Sequence, residues 1–299
     1  MRPLLVVILG PTASGKTSVA LQLAKAFDTS IISADSRQVY KELPIGSAQP
    51  SDEELKTVSH YLISSHTIND PLDAASYARE ARRLIEKEFR KKNVVFLVGG
   101  SGLYIDAVLY GLDELPGRDQ HLRESLQLLF EEKGIEALRA ELEQLDPDYY
   151  QEVDVGNPAR LMRALEVCRL TGKPYSSFRS GNKDDLPFLV LKIGMHMDRT
   201  QLYDRINRRV LQMMEAGLEE EARSVYAHKK AGPLQTVGYK ELFDYFEGKT
   251  DKEKAVALIQ QHTRNYAKRQ LTWWRKDTEI EWFEPAAVPE MIARIRKFL

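Results

Sequence analysis

Short apolar runs punctuate the first third of the chain. LLVVIL (residues 4–9), TSIISA (29–34) and VVFLVGG (94–100) have no polar alternation, which predicts strands buried on both faces of a sheet. Between them, AASYAREARRLIEKEFRK places Ala78, Ala81, Leu84, Ile85 and Phe89 near one face of a long amphipathic helix. Strands alternating with helices predict an α/β fold, a parallel sheet flanked by helices. The pattern changes after DELPGRD. From about Leu122 to Arg169 only helical patterns occur, and PFLVLKIGM (187–195) then reads as a strand returning to the sheet. The expected organisation is a core of residues 1–115 and 188–299, with helices dominating its C-terminal part. An all-helical lobe, 116–187, is inserted between hinges near 115–119 and 180–185.

The first strand runs into GPTASGKT, where Gly10, Gly15, Lys16 and Thr17 satisfy G-x-x-x-x-G-K-[ST]. The loop Gly10, Pro11, Thr12, Ala13, Ser14, Gly15 can turn successive amides around one anion, and the following helix adds its positive end. Lys16 contributes a cation, and the Thr17 hydroxyl suits Mg²⁺. A strand before and a helix after are the context the motif requires, so a phosphate or diphosphate site is expected.

The other strand ends define the chemistry, because ligands of open α/β sheets gather at the carboxyl ends of strands. ADSRQVY brings Asp35, Ser36, Arg37 and Gln38 beside the loop. After VVFLV, where an ATPase or GTPase usually has an acidic residue for Mg²⁺, the chain offers Gly-Gly-Ser. That argues against nucleotide hydrolysis. Asp35 is a candidate base, with a turn cap as the bland alternative.

Composition adds limits. In 299 residues the net charge is −1, so any polyanion surface must be local. Residues 155–183 carry Arg160, Arg163, Arg169, Lys173, Arg179 and Lys183 against Glu166 alone. HTRNYAKRQLTWWRK (262–276) carries Arg264, Lys268, Arg269, Arg275 and Lys276, no acid, and Tyr266, Trp273 and Trp274 among them. Cations interleaved with aromatics suit looped RNA; the alternative is a solvated helix face with one tryptophan in the core. The single cysteine, Cys168, excludes an internal disulfide and reads as buried on a helix. The six-residue N-terminal run is too short for a membrane span or signal peptide, so a cytoplasmic protein with no membrane partner is expected.

GPTASGKT, ISADSRQVYK, LVGGSGLY, NPARLMRALEV, DRINRRVLQMMEAGL, VGYKEL and AKRQLTWWR resemble, in order and spacing, the bacterial tRNA dimethylallyltransferases. The resemblance runs from about Leu4 to Trp282. It implies transfer of a dimethylallyl group from dimethylallyl diphosphate to N6 of adenine 37, beside the tRNA anticodon, by a monomer using Mg²⁺. On that resemblance the loop holds diphosphate with Arg209 and, less directly, Arg205. Asp35 is the base, and Ser36, Arg37, Gln38, Ser101, Arg160, Arg163 and Arg269 contact tRNA. The chain departs from the family at Gln49, where lysine is usual, and at Ser101, where threonine is usual; His60 and His66 receive no role. Two alternatives are a P-loop kinase for a small metabolite and a nucleotide-switched RNA-binding protein.

Overall fold

The computed structural model describes residues 2–113, 115–117, 119–179 and 185–299. They divide into two compact units, Met1–Gly111 with Asp185–Leu299, and Leu112–Asp184. The expected second hinge (180–184) and Lys183 lie outside the described residues.

In the first unit the chain runs β1 (Leu4–Leu9), α1 (Lys16–Ala26), β2 (Ile31–Ser33), α2 (Asp52–Thr57), β3 (His60–Tyr61), α3 (Ala74–Phe89), β4 (Val94–Gly99) and α4 (Gly102–Tyr110). The second unit holds α5 (Gln120–Lys133), α6 (Ile135–Leu145), α7 (Pro147–Glu152) and α8 (Pro158–Thr171). The first unit then resumes with β5 (Leu189–Met195), α9 (Arg199–Glu215), α10 (Leu218–Ser224), α11 (Tyr239–Phe246), α12 (Lys252–Trp274), β6 (Ile280–Phe283) and α13 (Val288–Arg296).

The strands form one parallel sheet in the order β3-β2-β4-β1-β5-β6. β1 is central, with Leu4 opposite both Val94 and Leu189. Its uninterrupted apolar run follows from that position. Leu5, Val7 and Leu9 belong to one core, while Leu4, Val6 and Ile8 belong to the core on the other face. Because all strands are parallel, the segments after β1, β2 and β4 emerge at the same edge.

Helices dominate the C-terminal part as expected, and the sheet gains two short strands beyond those expected from the sequence. β6 extends the sheet beyond β5, with Lys192 opposite Ile280. It is anchored at its start by Lys192, whose buried Nζ donates to Asp277 and Glu279 carboxylates at 2.7 Å each. β3 is two residues long and pairs with β2. No helix among the described residues is long and apolar enough to cross a membrane.

The second unit has its own core of Leu126, Leu138, Leu142, Leu161 and Leu165. Among its described residues, four α-helices and no strand fit the helical patterns of this segment. Cys168 on α8 is buried, and burial pushes its thiol pKa up, so it is a packing residue.

Candidate active site

The loop after β1 is shaped by unusual backbone angles. Ala13 has φ +63° and Gly15 φ +92°, a left-handed conformation that lets the chain turn directly into α1. α1 has no side-chain cap at its N-terminus, so the first-turn amides are left for an anion. Lys16 Nζ donates to the Pro11 carbonyl at 2.8 Å. The Thr12 amide donates to Gln270 Oε1 at 2.9 Å, and the buried Ser14 hydroxyl has no hydrogen-bond partner among the described residues.

Lys16, Thr17, Asp35, Arg37 and Arg209 line one cavity of about 250 Å³. Burial lowers the Lys16 pKa to about 7, despite the opposing pull of Asp35; Arg209 lowers it further. Burial also lowers the Arg209 pKa, with Asp35 opposing and Arg205 reinforcing the shift. This is a pocket of cations short of negative charge. Arg205, one helical turn before Arg209 on α9, brings its guanidinium beside Gly15. With Arg208 and Ala13 it borders a shallow neighbouring cavity.

Asp35 stands at the end of β2. Its Oδ1 accepts from the Arg37 amide at 2.8 Å and, more weakly, from the Gln38 amide at 3.4 Å. Oδ2 takes no part in this turn. The carboxylate is therefore both a turn cap and a cavity wall, so the two readings of Asp35 are compatible. The Ser36 amide donates to Ser101 Oγ at 2.9 Å, tying the loops after β2 and β4 together. Side chains are excluded at the end of β4. A Cβ at Gly99 would lie 2.0 Å from the Ala34 carbonyl oxygen, and one at Gly100 would lie 2.5 Å from Gln270 Nε2. An acidic residue cannot be accommodated there, which disfavours the arrangement of an ordinary P-loop nucleotidase.

Residues 38–277 match the family described as IPP transferase. A tRNA dimethylallyltransferase of Bacteroides fragilis is 48% identical, over 98% of this chain and 97% of its own. One from Cytophaga hutchinsonii is 46% identical, over 96% and 94%. The crystal structure of a tRNA isopentenylpyrophosphate transferase from Bacillus halodurans aligns with a TM-score of 0.73 at 35% identity, covering 99% of this chain and 96% of that one. This chain belongs to the IPP transferase family.

Gln49 and Ser101, the two positions expected to depart from the family pattern, have local roles in the structure. Gln49 Nε2 donates to the Gln38 and Tyr40 carbonyls at 3.0 and 2.9 Å, and its Oε1 accepts from Ser64 Oγ at 2.7 Å. It braces the loop that follows Asp35. Ser101 needs only a hydroxyl to accept from the Ser36 amide. Gln38 lines the cavity, but its side-chain amide is engaged by Ser33 Oγ at 3.0 Å and the Ala48 carbonyl at 3.0 Å. Of the histidines without a role, His66 pairs with Glu80 at 3.5 Å and His60 Nδ1 lies 2.8 Å from the Val58 carbonyl.

The expected tRNA-contacting arginines differ in their surroundings. Arg160 is exposed in the first turn of α8. Arg163, one turn later, bonds Glu166 at 2.8 Å and the Pro116 carbonyl at 2.7 Å. Glu166 is buried and also accepts from the Asp119 amide, so Arg163 neutralises a buried charge inside its unit. Arg269 is exposed on α12, its guanidinium 5.8 Å from the Tyr266 ring centre.

The sequence patterns named Tyr266 but not the other residues that α12 brings to the cavity. Ile259, Thr263, Tyr266 and Gln270 share one helical face and line the cavity. Gln270 is only 6% exposed, and it also donates to the Gly100 carbonyl at 2.8 Å, joining the phosphate loop to the end of β4. A polar residue on the same face as buried Ala267 and Trp274 was the available clue.

The lowered Lys16 pKa gives a pH-dependent expectation. In the free protein its protonated fraction falls as pH rises above about 7. A bound anion favours the protonated form, so affinity for inorganic diphosphate should fall by up to about tenfold per pH unit above neutrality, after correction for the ligand's own ionisation. Calorimetric titration of the parent beside Lys16→Met supplies that correction. Parallel pH profiles for the two proteins would contradict the assignment.

Proposed function

We propose that this chain transfers the dimethylallyl group of dimethylallyl diphosphate to N6 of adenine 37 in a tRNA anticodon loop, releasing diphosphate. The observation that carries this reading is the placement of an anion cradle and the Asp35 carboxylate on the walls of one cavity. The loop amides, Lys16 and Arg209 bind the diphosphate and stabilise the charge that grows on it as the C1–O bond breaks. The N6 lone pair forms the new bond to C1, and the N6 proton passes to Asp35. The target base must leave its stack to enter the cavity.

Thr17 at the start of α1 lines the same cavity. One hydroxyl beside diphosphate oxygens and water is the sparse protein contribution that Mg²⁺ accepts at phosphate sites, so the residues fit this ion. When bound, Mg²⁺ would neutralise part of the diphosphate charge. A cytoplasmic monomer acting on tRNA is the working state in this reading.

Incubation with tRNA and labelled dimethylallyl diphosphate should give labelled tRNA, with no turnover of ATP in a parallel reaction. ATP-dependent phosphorylation without prenyl transfer would favour the kinase alternative. For the RNA surface, Arg160→Ala and Arg269→Ala should each reduce the slope of log affinity against log salt by roughly 0.7–0.9. Arg163→Ala should instead lower the melting temperature, since it leaves Glu166 buried and unpaired. An unchanged slope in the first two variants would show them to be solvated.

A further inference from the structure

The cavity is continued on the surface by the last turns of α12. Tyr266 lines the cavity, and Arg269 and Trp273 follow at helical spacings of three and four residues, forming one stripe. Lys276 lies just beyond the helix end. Arg269, Lys268, Arg275 and Lys276 are all exposed.

The two adjacent tryptophans have opposite placements. Trp274 is 3% exposed and belongs to the core, whereas Trp273 is 42% exposed. The exposed indole is nonetheless held. Its Nε1 donates to Asp106 Oδ2 at 3.0 Å, and its ring lies against Gly102, where a Cβ would stand 2.6 Å from that nitrogen. Only a residue without a side chain permits this seat. Leu103, next along the chain, is 50% exposed. Gly102 directly follows Ser101, whose hydroxyl accepts from the Ser36 amide.

We propose that the Trp273 indole is a stacking platform for a nucleotide adjoining the one that enters the cavity, with Arg269 and Lys276 meeting the neighbouring phosphates. This rests on the tRNA-modifying reading above. The chemistry favours an RNA base over an apolar protein partner. A rigid aromatic face with Arg269 and Lys276 near its side of the helix, in a segment without acidic residues, matches an unstacked base on an anionic backbone. Extruding one base also leaves its neighbours' faces without stacking partners, so a protein ring beside the cavity replaces what the RNA loses.

The test uses the full chain and a tRNA anticodon stem-loop, with inorganic diphosphate binding as the control for an intact cavity. Trp273→Ala is expected to weaken RNA binding by about tenfold or more, and Trp273→Phe to recover most of the loss. The salt slope should stay unchanged, because no phosphate contact is removed. An abasic nucleotide beside the target adenine, bound to the parent protein, should reproduce the loss and add little to Trp273→Ala. Parental RNA affinity in Trp273→Ala would overturn the proposal, as would a parent indifferent to abasic nucleotides on both sides of the target. A parent that neither binds nor modifies RNA removes the functional reading as well, which distinguishes the two failures.

Discussion

Asp35→Asn is expected to slow single-turnover transfer by about 10²–10⁴-fold, the usual worth of a general base. That corresponds to roughly 3–5 kcal/mol of barrier. The substitution is unusually clean here because the two roles of Asp35 use different atoms. Oδ1 accepts from the Arg37 and Gln38 amides, and an asparagine oxygen can continue to do so. The amide cannot take the N6 proton at neutral pH. The turn should therefore persist, with only the modest stability loss expected from removing the negative charge beside buried Lys16 and Arg209, while the rate falls. Rates and melting temperatures measured on the same variant, with both substrates saturating, decide the matter. A well-folded Asp35→Asn protein that keeps the parent's rate would leave Asp35 as a turn cap alone.

Lys16→Met is expected to reduce transfer by roughly 10²–10³-fold, comparable to removing a preorganised donor from a developing anion. Methionine keeps much of the aliphatic length and removes the charge. The stabilising effect on the free protein is a second readout. Burial disfavours the Lys16 ammonium, as its lowered pKa records, so the variant without that charge should melt at a higher temperature at or below neutral pH. Affinity for tRNA should be unchanged, because Lys16 faces the diphosphate cradle. A variant that loses tRNA binding as severely as transfer would contradict this separation.

Both residues were legible because each belongs to a local pattern: a loop between strand and helix, and a polar run at a strand end. β1 and β4 were equally plain, since strands buried on both faces leave unbroken apolar runs. β3 has two residues, too few for any periodicity, and β6 is defined chiefly by its pairing with β5 and by the ion pairs of Lys192. Gln270 exemplifies what a local pattern cannot contain. Its partners Thr12 and Gly100 are 258 and 170 residues away, so its role arises only on folding. Arg163 shows the opposite problem. It lies in a family-like motif beside exposed Arg160, but its guanidinium is held by Glu166 and Pro116. Sequence supplies the charge; only packing says what that charge faces.

The central place of β1 also bears on how the chain is made. This strand is synthesised before both of its neighbours, and one of them, β5, lies beyond residue 188. At 5–20 residues per second, synthesis of the intervening chain takes roughly ten to forty seconds. During that interval LLVVIL, an uncharged six-residue segment of high strand propensity, lacks its β5 partner along one edge. The nascent protein is thus most vulnerable to intermolecular pairing at its most protected native strand, and early chaperone engagement of residues 4–9 would protect the yield of folded enzyme.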